Sequence, residues 1–221
     1  MMKLSQEAEE YLEAIYKLQS KRGVVRTTEL AKELKVVPGS VTNTLAHLER
    51  HGLVERKPYH GVRLTAKGEK IALTIIRKHR LAERLLTDIL EVDWSDAHEK
   101  ACLLEHAISE DLLPILEKRL GYPKICPHGN PIPSNDGKLE DVECESLTNM
   151  KENQRYIIVK IIDERKTNIL SLTEKGVKIG ACIQLIKKTS KKLVIFVNGK
   201  KQAISRLEAE SIMVKPVEGA D

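Results

Sequence analysis

Residues 27–65 read TTELAKELKVVPGSVTNTLAHLERHGLVERKPYHGVRLT. Thr28 to Leu34 carries apolar side chains at 30, 31 and 34, which suits a short helix capped by Thr27 or Thr28. Val37-Pro38-Gly39 breaks it. From Ser40 to Arg50, Val41, Leu45 and Leu48 recur at i, i+4 and i+7 and make one apolar face. Ser40, Asn43, Thr44 and His47 fall on the opposite face. Those side chains are short, uncharged hydrogen-bonding groups, the kind that a helix in the major groove presents to base edges. Two helices across a break of a few residues predict a helix-turn-helix. Leu53 to Lys57 then reads as a strand, Tyr59-His60-Gly61 as a turn and Val62 to Thr65 as the return strand. Arg56, Lys57 and Arg63 give this wing a basic edge suited to phosphates. Thr28, Pro38 and Thr42 complete the candidate DNA-contacting set. Such helices act in pairs, so a homodimer on a palindromic double-stranded operator is expected.

Outward from that unit, residues 65–120 read as long helices. The stretch from Gly121 to Gly137 holds too many Pro, Gly and Asn residues to continue a helix or a central strand. Beyond it the chain turns β-like. Arg155–Ile162 and Lys192–Val197 are rich in β-branched residues, Asn198-Gly199 is a strong hairpin signal, and Ile212–Val214 fits a last strand. Several short strands in so few residues predict a small SH3-like barrel. The expected domains are a winged helix-turn-helix at 1–65, helices at 66–140, a linker at 141–150 and the barrel at 151–221. The fold class is mainly α with a small β domain.

Composition narrows the function. Of 221 residues, 41% are apolar and 31% charged, and the net charge is +5. This describes a globular chain with a mild basic excess that is compatible with nucleic-acid binding. Aromatics, at 3%, are too few for a single-strand binder built on base stacking. No apolar run reaches membrane-spanning length, and the N-terminus turns acidic without an apolar segment, so a cytoplasmic location is expected. Cys102, Cys126, Cys144 and Cys182 are widely spaced and suggest no disulfide framework.

The helical region is dense in metal-ligand types. His98, Cys102, Glu105 and His106 fall at i, i+4, i+7 and i+8, an arc of roughly 100° on a continuous helix. His79 and Glu83 share a face of the preceding helix. Glu10 and Glu13 share a face of a first helix that also carries Tyr11, Leu12 and Ile15. Imidazole, carboxylate and thiolate together suit first-row transition metals better than Mg²⁺ or Ca²⁺. The spacing leaves other readings open: Cys102 as a core residue, Glu105 and His106 as a solvated stripe, and the two N-terminal glutamates as dipole partners. His98-Glu99-Lys100-Ala101-Cys102 also approaches the HExxH zinc-hydrolase pattern, with Cys in place of the second histidine.

The stretch from Arg77 to Asp88, followed by His98–Cys102, Glu105-His106 and Gly129-Asn130-Pro131-Ile132-Pro133, resembles the diphtheria-toxin-repressor family of iron- and manganese-dependent regulators. The resemblance runs along essentially the whole chain and implies a winged helix, dimerisation helices and an SH3-like (FeoA-like) domain. It also implies two metal sites. The regulatory one takes Glu10, Cys102, Glu105 and His106, with Glu13 as a further carboxylate. The ancillary one takes His79, Glu83 and His98, with an anion held by Arg80 and Asn130. The implied function is repression of metal-uptake genes with Fe²⁺ as corepressor, Mn²⁺ as the alternative, and Co²⁺, Ni²⁺ or Zn²⁺ as substitutes in vitro. A winged-helix regulator answering an organic ligand is the other reading, and a zinc hydrolase a remote one.

Departures matter. Iron-type members usually carry Met where this chain has Glu10, while Cys102 is the iron-type choice. Arg165 and Asn168 stand where iron-type members donate third-domain ligands, and Arg165 cannot ligate. The neighbouring Glu164 is the alternative ligand, but the site is expected to lack third-domain ligation. Cys126 with His128 admits a metal-binding reading, but a rigid loop without further ligands is the expected account.

Overall fold

The computed structural model describes residues 4–57 and 61–217. Chain contacts divide it into two compact units, residues 1–78 with 133–138, and residues 79–132 with 139–221.

The first unit is built on α1 (Gln6–Arg22), whose N-terminus is capped by Ser5 Oγ accepting from the Ala8 amide. Ala8, Tyr11, Leu12 and Ile15 recur at helical spacing and are buried. They pack with Leu30 and Ala31 of α2 (Thr27–Leu34) and with Val41, Leu45 and Leu48 of α3 (Pro38–Arg50). Pro38 opens α3, where a missing N–H costs nothing. Lys35, in the left-handed region at φ 55°, closes α2. Neither Thr27 nor Thr28 caps α2. Arg26 holds the extended cap position, and its amide donates to Glu29 Oε2 at 3.1 Å. The glutamate three residues into the helix reaches the chain entering it, so the threonines are simply its first turn.

β1 (Val54–Lys57) and β2 (Gly61–Leu64) pair antiparallel, Val54 opposite Leu64 and Lys57 opposite Gly61. Tyr59 and His60 of the expected turn lie outside the described residues. Gly61, at φ 109°, allows the wing to lie against the strand-like bridge between Val25 and Val62, since a Cβ there would stand 2.4 Å from the Val25 carbonyl. α4 (Ala66–Arg84) gives its first part, through Lys78, to this unit. Arg77 Nη1 there donates to Asn135 Oδ1 at 2.8 Å.

The second unit begins at His79 in α4, passes a π-helical turn at Leu85–Ile89, and continues into α5 (Trp94–Leu104), capped by Asp93. A 3₁₀ turn, Glu105–Ala107, and α6 (Leu113–Arg119) follow. Leu81, Ala82, Leu86, Ala101, Ile108, Leu113 and Ile132 form one apolar cluster here.

Residues 145–150, expected as linker, are structural. β3 (Glu145–Ser146) pairs with the last strand, and Leu147 is fully buried. Asp141 is tied to the buried Lys160 ammonium at 2.6 Å. Leu147 supplies the apolar side chain that a charged stretch conceals.

β4 (Gln154–Ile161), α7 (Lys166–Glu174), β5 (Cys182–Lys188), β6 (Lys192–Val197), β7 (Lys200–Ser205), α8 (Arg206–Ser211) and β8 (Ile212–Pro216) complete the chain. The antiparallel sheet runs β3-β8-β4-β5-β6-β7. Ile158, Ile183, Leu185, Leu193, Ile195 and Val214 alternate into its core, and Ile161 joins them past a register shift at Ile158/Lys160. Asn198 and Gly199, both at positive φ, make the β6–β7 turn that their dipeptide signals.

Candidate metal centre

The polar centre of the second unit is assembled from four pieces of chain: the end of α4, α5, the loop at 124–132, and the residues after β4. α4 supplies His79 and Glu83, both buried and one turn apart. α5 supplies His98 and Cys102. The loop is folded by its own backbone. The Cys126 amide donates to the Asn130 carbonyl at 2.8 Å, the Gly129 amide to the Cys126 carbonyl at 2.9 Å, and Ile132 to Lys124 at 2.8 Å. Gly129, at φ 83°, passes so close to β4 that a Cβ would lie 2.2 Å from the Val159 carbonyl. This turn drives His128 into the interior, fully buried, and the Ile161 amide donates to the His128 carbonyl.

Glu83 is the hub. Its Oε1 stands 3.2 Å from His79 Nε2, 3.1 Å from His128 Nδ1 and 3.5 Å from His98 Nδ1. Its Oε2 is buried and has no hydrogen-bond partner among the described residues. His98 Nδ1 also meets Glu164 Oε2 at 3.1 Å and His79 Nε2 at 3.1 Å. Glu164, the alternative to Arg165, therefore lies within the cluster. Its neighbour Arg165 is exposed and pairs with Asp163, and Asn168 donates to the Asp163 carbonyl and to Ser211 Oγ. The one-residue difference between Glu164 and Arg165 is what alignment by position missed.

Cys126 and His128 are likewise not an isolated loop pair. Cys126, His128, Glu83 and Glu164 offer donor atoms all within 4.8 Å of one another, as do His79, Glu83, His98 and Glu164. His128 Nε2 sits 2.9 Å from the Trp94 carbonyl, and that bond fixes which ring nitrogen faces the cluster.

The regulatory set is rearranged. Cys102, Glu105 and His106 are not on one continuous helix, because α5 ends at Leu104 and a 3₁₀ turn begins. Three residues per turn rotate successive side chains further than an α-helix does. Cys102 Sγ faces His98 Nε2 at 4.0 Å and groups with His79 and His98. Glu105 is buried against His79 Nδ1 at 2.5 Å, with His106 Nε2 3.3 Å from its other oxygen. Among the described residues no donor cluster joins Cys102 to both Glu105 and His106. Glu10 and Glu13 lie on α1 in the first unit. Of the pair that resembles an anion site, Arg80 Nη1 donates to the Pro131 carbonyl, and the Asn130 amide to Ile161 O and Glu164 Oε1.

Burial opposes charge on His98, but Cys102, Glu164 and Glu83 together push its pKa up to about 11. His79 and His128 are raised for the same reason, against their burial, by Cys102, Glu105 and Glu83 and by Glu83 and Glu164 respectively. Burial raises Cys102, yet His79 and His98 bring its thiol down to about 7. Two imidazole nitrogens converging at 3.1 Å, an unpaired buried carboxylate oxygen and a low-pKa thiol make a donor set that fits a divalent transition metal.

In the first unit, Ser40, Asn43 and His47 are exposed along α3, as are Thr28, Pro38 and Thr42. Thr44 is half-buried, its hydroxyl donating to Glu7 at 2.9 Å, and Thr42 donates back to the Pro38 carbonyl. The wing arginines are paired in this state: Arg56 with Glu49 at 2.5 Å and Arg63 with Glu55 at 2.8 Å.

Comparison with known proteins agrees with both halves of this description. Residues 3–62 match the iron dependent repressor N-terminal DNA binding domain, 65–134 its metal binding and dimerisation domain, and 145–216 the FeoA domain. The diphtheria toxin repressor of Corynebacterium glutamicum is 31% identical over 233 residues, spanning 99% of this chain and 100% of that one. The chain belongs to the diphtheria toxin repressor family. Members of this family are repressors rather than enzymes, and the chain is a metal-dependent, DNA-binding transcriptional repressor with a dimerisation domain. The iron-dependent repressor IdeR of Mycobacterium tuberculosis is 38% identical over 133 residues, covering 60% of this chain and 58% of that one. Among solved structures, a manganese-dependent transcriptional repressor in complex with manganese superposes with TM-score 0.89 at 25% identity, covering 95% of this chain and all of that one. T. acidophilum IdeR superposes at 0.80 with 28% identity, over 98% and 100%. The zinc-hydrolase and organic-ligand readings fall with this membership. Among the described residues no helix is long and apolar enough to cross a membrane.

Proposed function

We propose that the chain represses metal-uptake genes in the cytoplasm with Fe²⁺ as its corepressor, Mn²⁺ being the second choice. The observation that carries the preference is the Cys102 thiol held between His79 and His98. A thiolate with imidazoles favours a softer ion than an all-oxygen shell does. The ancillary ligands are His79, Glu83 and His98, joined by Glu164. The regulatory ligands, carried over from the family resemblance, are Glu10, Cys102, Glu105 and His106, with Glu13 beside them. The bound ion supplies fixed positive charge where the metal-free protein holds protons. Ligands drawn from α1 and from the α5 region make metal and DNA binding support one another.

Ser40, Asn43 and His47 face the bases of a palindromic operator whose half-sites lie about one helical turn, ~34 Å, apart. Arg56, Lys57 and Arg63 serve phosphates, Arg56 and Arg63 by exchanging their carboxylate partners. A homodimer buries part of the apolar surface around Leu103 and Ile115, which are 78% and 65% exposed in the single chain.

Anaerobic fluorescence anisotropy on a labelled operator duplex at fixed salt tests this. Tight binding with Fe²⁺ at lower free concentration than with Mn²⁺, and none in chelator, is the expected result. Equal affinity in chelator overturns metal control, and a lower threshold for Mn²⁺ overturns the iron assignment.

A further inference from the structure

We propose that the outer face of the β4–β8 sheet is a second DNA-binding surface, one that holds the phosphate backbone of duplex DNA without reading its sequence.

Charge singles out these strands. β4, β5, β6, β7 and β8 together contain eight lysines and arginines and no Asp or Glu. Residues 3–62, which match the DNA binding domain, hold ten lysines and arginines against eight glutamates. Arg56 of that domain is already paired with Glu49. Attraction to phosphates supplies the sequence-independent part of DNA affinity. The chain concentrates its unopposed positive charge in the sheet and not in the unit that reads bases.

The strand registers place the cations on one face. Tyr156, Leu193 and Val214 are buried, so Arg155, Lys192 and Lys215 beside them point away from the core. Lys187 stands opposite Val194 and Lys201 opposite Phe196, and both partners alternate with the buried Leu193, Ile195 and Val197. Each of the five strands therefore sets one exposed cation on the outer face. Neighbouring strands lie about 4.8 Å apart, so the charges are spread along a line as phosphates are, not gathered at a point. Lys160 is tied to Asp141, and Lys188 to the Thr148 and Met150 carbonyls, so neither is available. Among the described residues no ion pair engages Arg155, Lys187, Lys192, Lys201 or Lys215.

The uncharged groups between the cations suit a sugar-phosphate chain. Arg155, Gln184, Phe196 and Lys201 form one row across four strands. A cavity of about 190 Å³ lies among Arg155, Gln184, Phe196 and Asn198. The two amides can donate to phosphate oxygens, and the half-exposed Phe196 ring offers apolar contact to a deoxyribose. Phe196 is the one exposed aromatic side chain in these strands, too few to stack successive bases of a single strand. The polyanion that a DNA-binding repressor holds is duplex DNA, and this decides the occupant.

The test uses the full-length Fe²⁺-loaded protein under anaerobic conditions and a labelled random-sequence duplex. Anisotropy is read over a series of salt concentrations for the parent and for a variant carrying Lys187→Gln, Lys192→Gln and Lys201→Gln. A control variant carries Lys124→Gln, Lys166→Gln and Lys178→Gln, which removes the same charge elsewhere. Each lost phosphate contact makes the slope of log affinity against log salt shallower by about 1, so the sheet variant should lose about 3 and the control far less. Circular dichroism checks folding. Should the triple variant fail to fold, Lys192→Gln and Lys201→Gln are read singly, each with an expected loss of about 1. An unchanged slope overturns the proposal, as does an equal change in the control. No binding of the parent to this duplex at low salt also overturns it. Parent binding to phosphatidylglycerol vesicles that the sheet variant loses, with DNA affinity intact, would replace duplex DNA by a lipid surface.

Discussion

The recognition face of α3 and the polar centre around Glu83 solve opposite problems. Ser40, Asn43 and His47 are exposed, His47 with its ring beside that of His51, so their polar groups can be chosen for DNA. Glu83, His79 and His128 are buried, and Glu83 hydrogen-bonds both histidines, so each is held through it. Truncations on the first face should change binding and leave folding alone. Truncations in the second region should change both, because a buried charge without its partners is costly.

The sharpest way to break that contrast is Glu83→Ala. Removing one partner of a buried charged network costs about 3–5 kcal/mol. The lower part of that range is expected, since histidines can shed protons where a fixed charge cannot. Urea denaturation in chelator should show the loss, with partial recovery as pH rises and the orphaned imidazoles become neutral. A variant as stable as the parent would mean that the cluster is held by packing alone. In the parent protein, metal affinity should tighten with rising pH, because an ion must displace a proton from His98, whose pKa is about 11.

Leu48→Ala carries the second effect. Leu48 is fully buried on the inner face of α3, and a cavity there costs about 3 kcal/mol. Operator affinity should fall through loss of folded protein and recover at lower temperature. Asn43→Ala on the outer face is the counterpart. Its thermal midpoint should not move, while operator affinity drops by about 1–3 kcal/mol if the amide reads a base. Equal losses on operator and random DNA would make Asn43 a phosphate contact instead.

The two regions also differed in how far the sequence reveals them. Val41, Leu45 and Leu48 are legible because a single helix repeats them, and the wing is legible because it follows at once. β6 and its Asn198-Gly199 turn are legible for the same local reason. β7, reading Lys-Lys-Gln-Ala-Ile-Ser, buries only Ile204 and carries no alternation to detect. α7 and α8 are too short for their helical period to stand out from the β-like stretch around them. In the centre, His79 with Glu83 shows as an i, i+4 pair, whereas Glu164 and His128 arrive from separate chain segments. Their signal is the fold of a loop around Gly129, which no local period encodes. The regulatory residues are hard to place for a related reason: a 3₁₀ turn after Leu104 breaks the helical angle that their spacing implies.

A smaller charged group far from the centre tests whether burial, rather than charge as such, sets the size of these effects. Glu208 in α8 accepts from Lys175, Ser171 and the Ser205 amide. Burial pushes its pKa up, but those donors prevail and hold it down at about 2. A depressed carboxylate contributes stability above its unfolded pKa near 4.5 and loses it as pH falls through 2. Glu208→Gln keeps an acceptor for Ser205 and removes the charge opposite Lys175. It should cost no more than about 1 kcal/mol at neutral pH, since the pair is only partly shielded from solvent. The gap between parent and variant should close on acidification towards pH 2. If it stays constant across that range, Glu208 acts through its hydrogen-bonding shape and not its charge. If it rivals the Glu83→Ala loss, burial is not what distinguishes the metal centre.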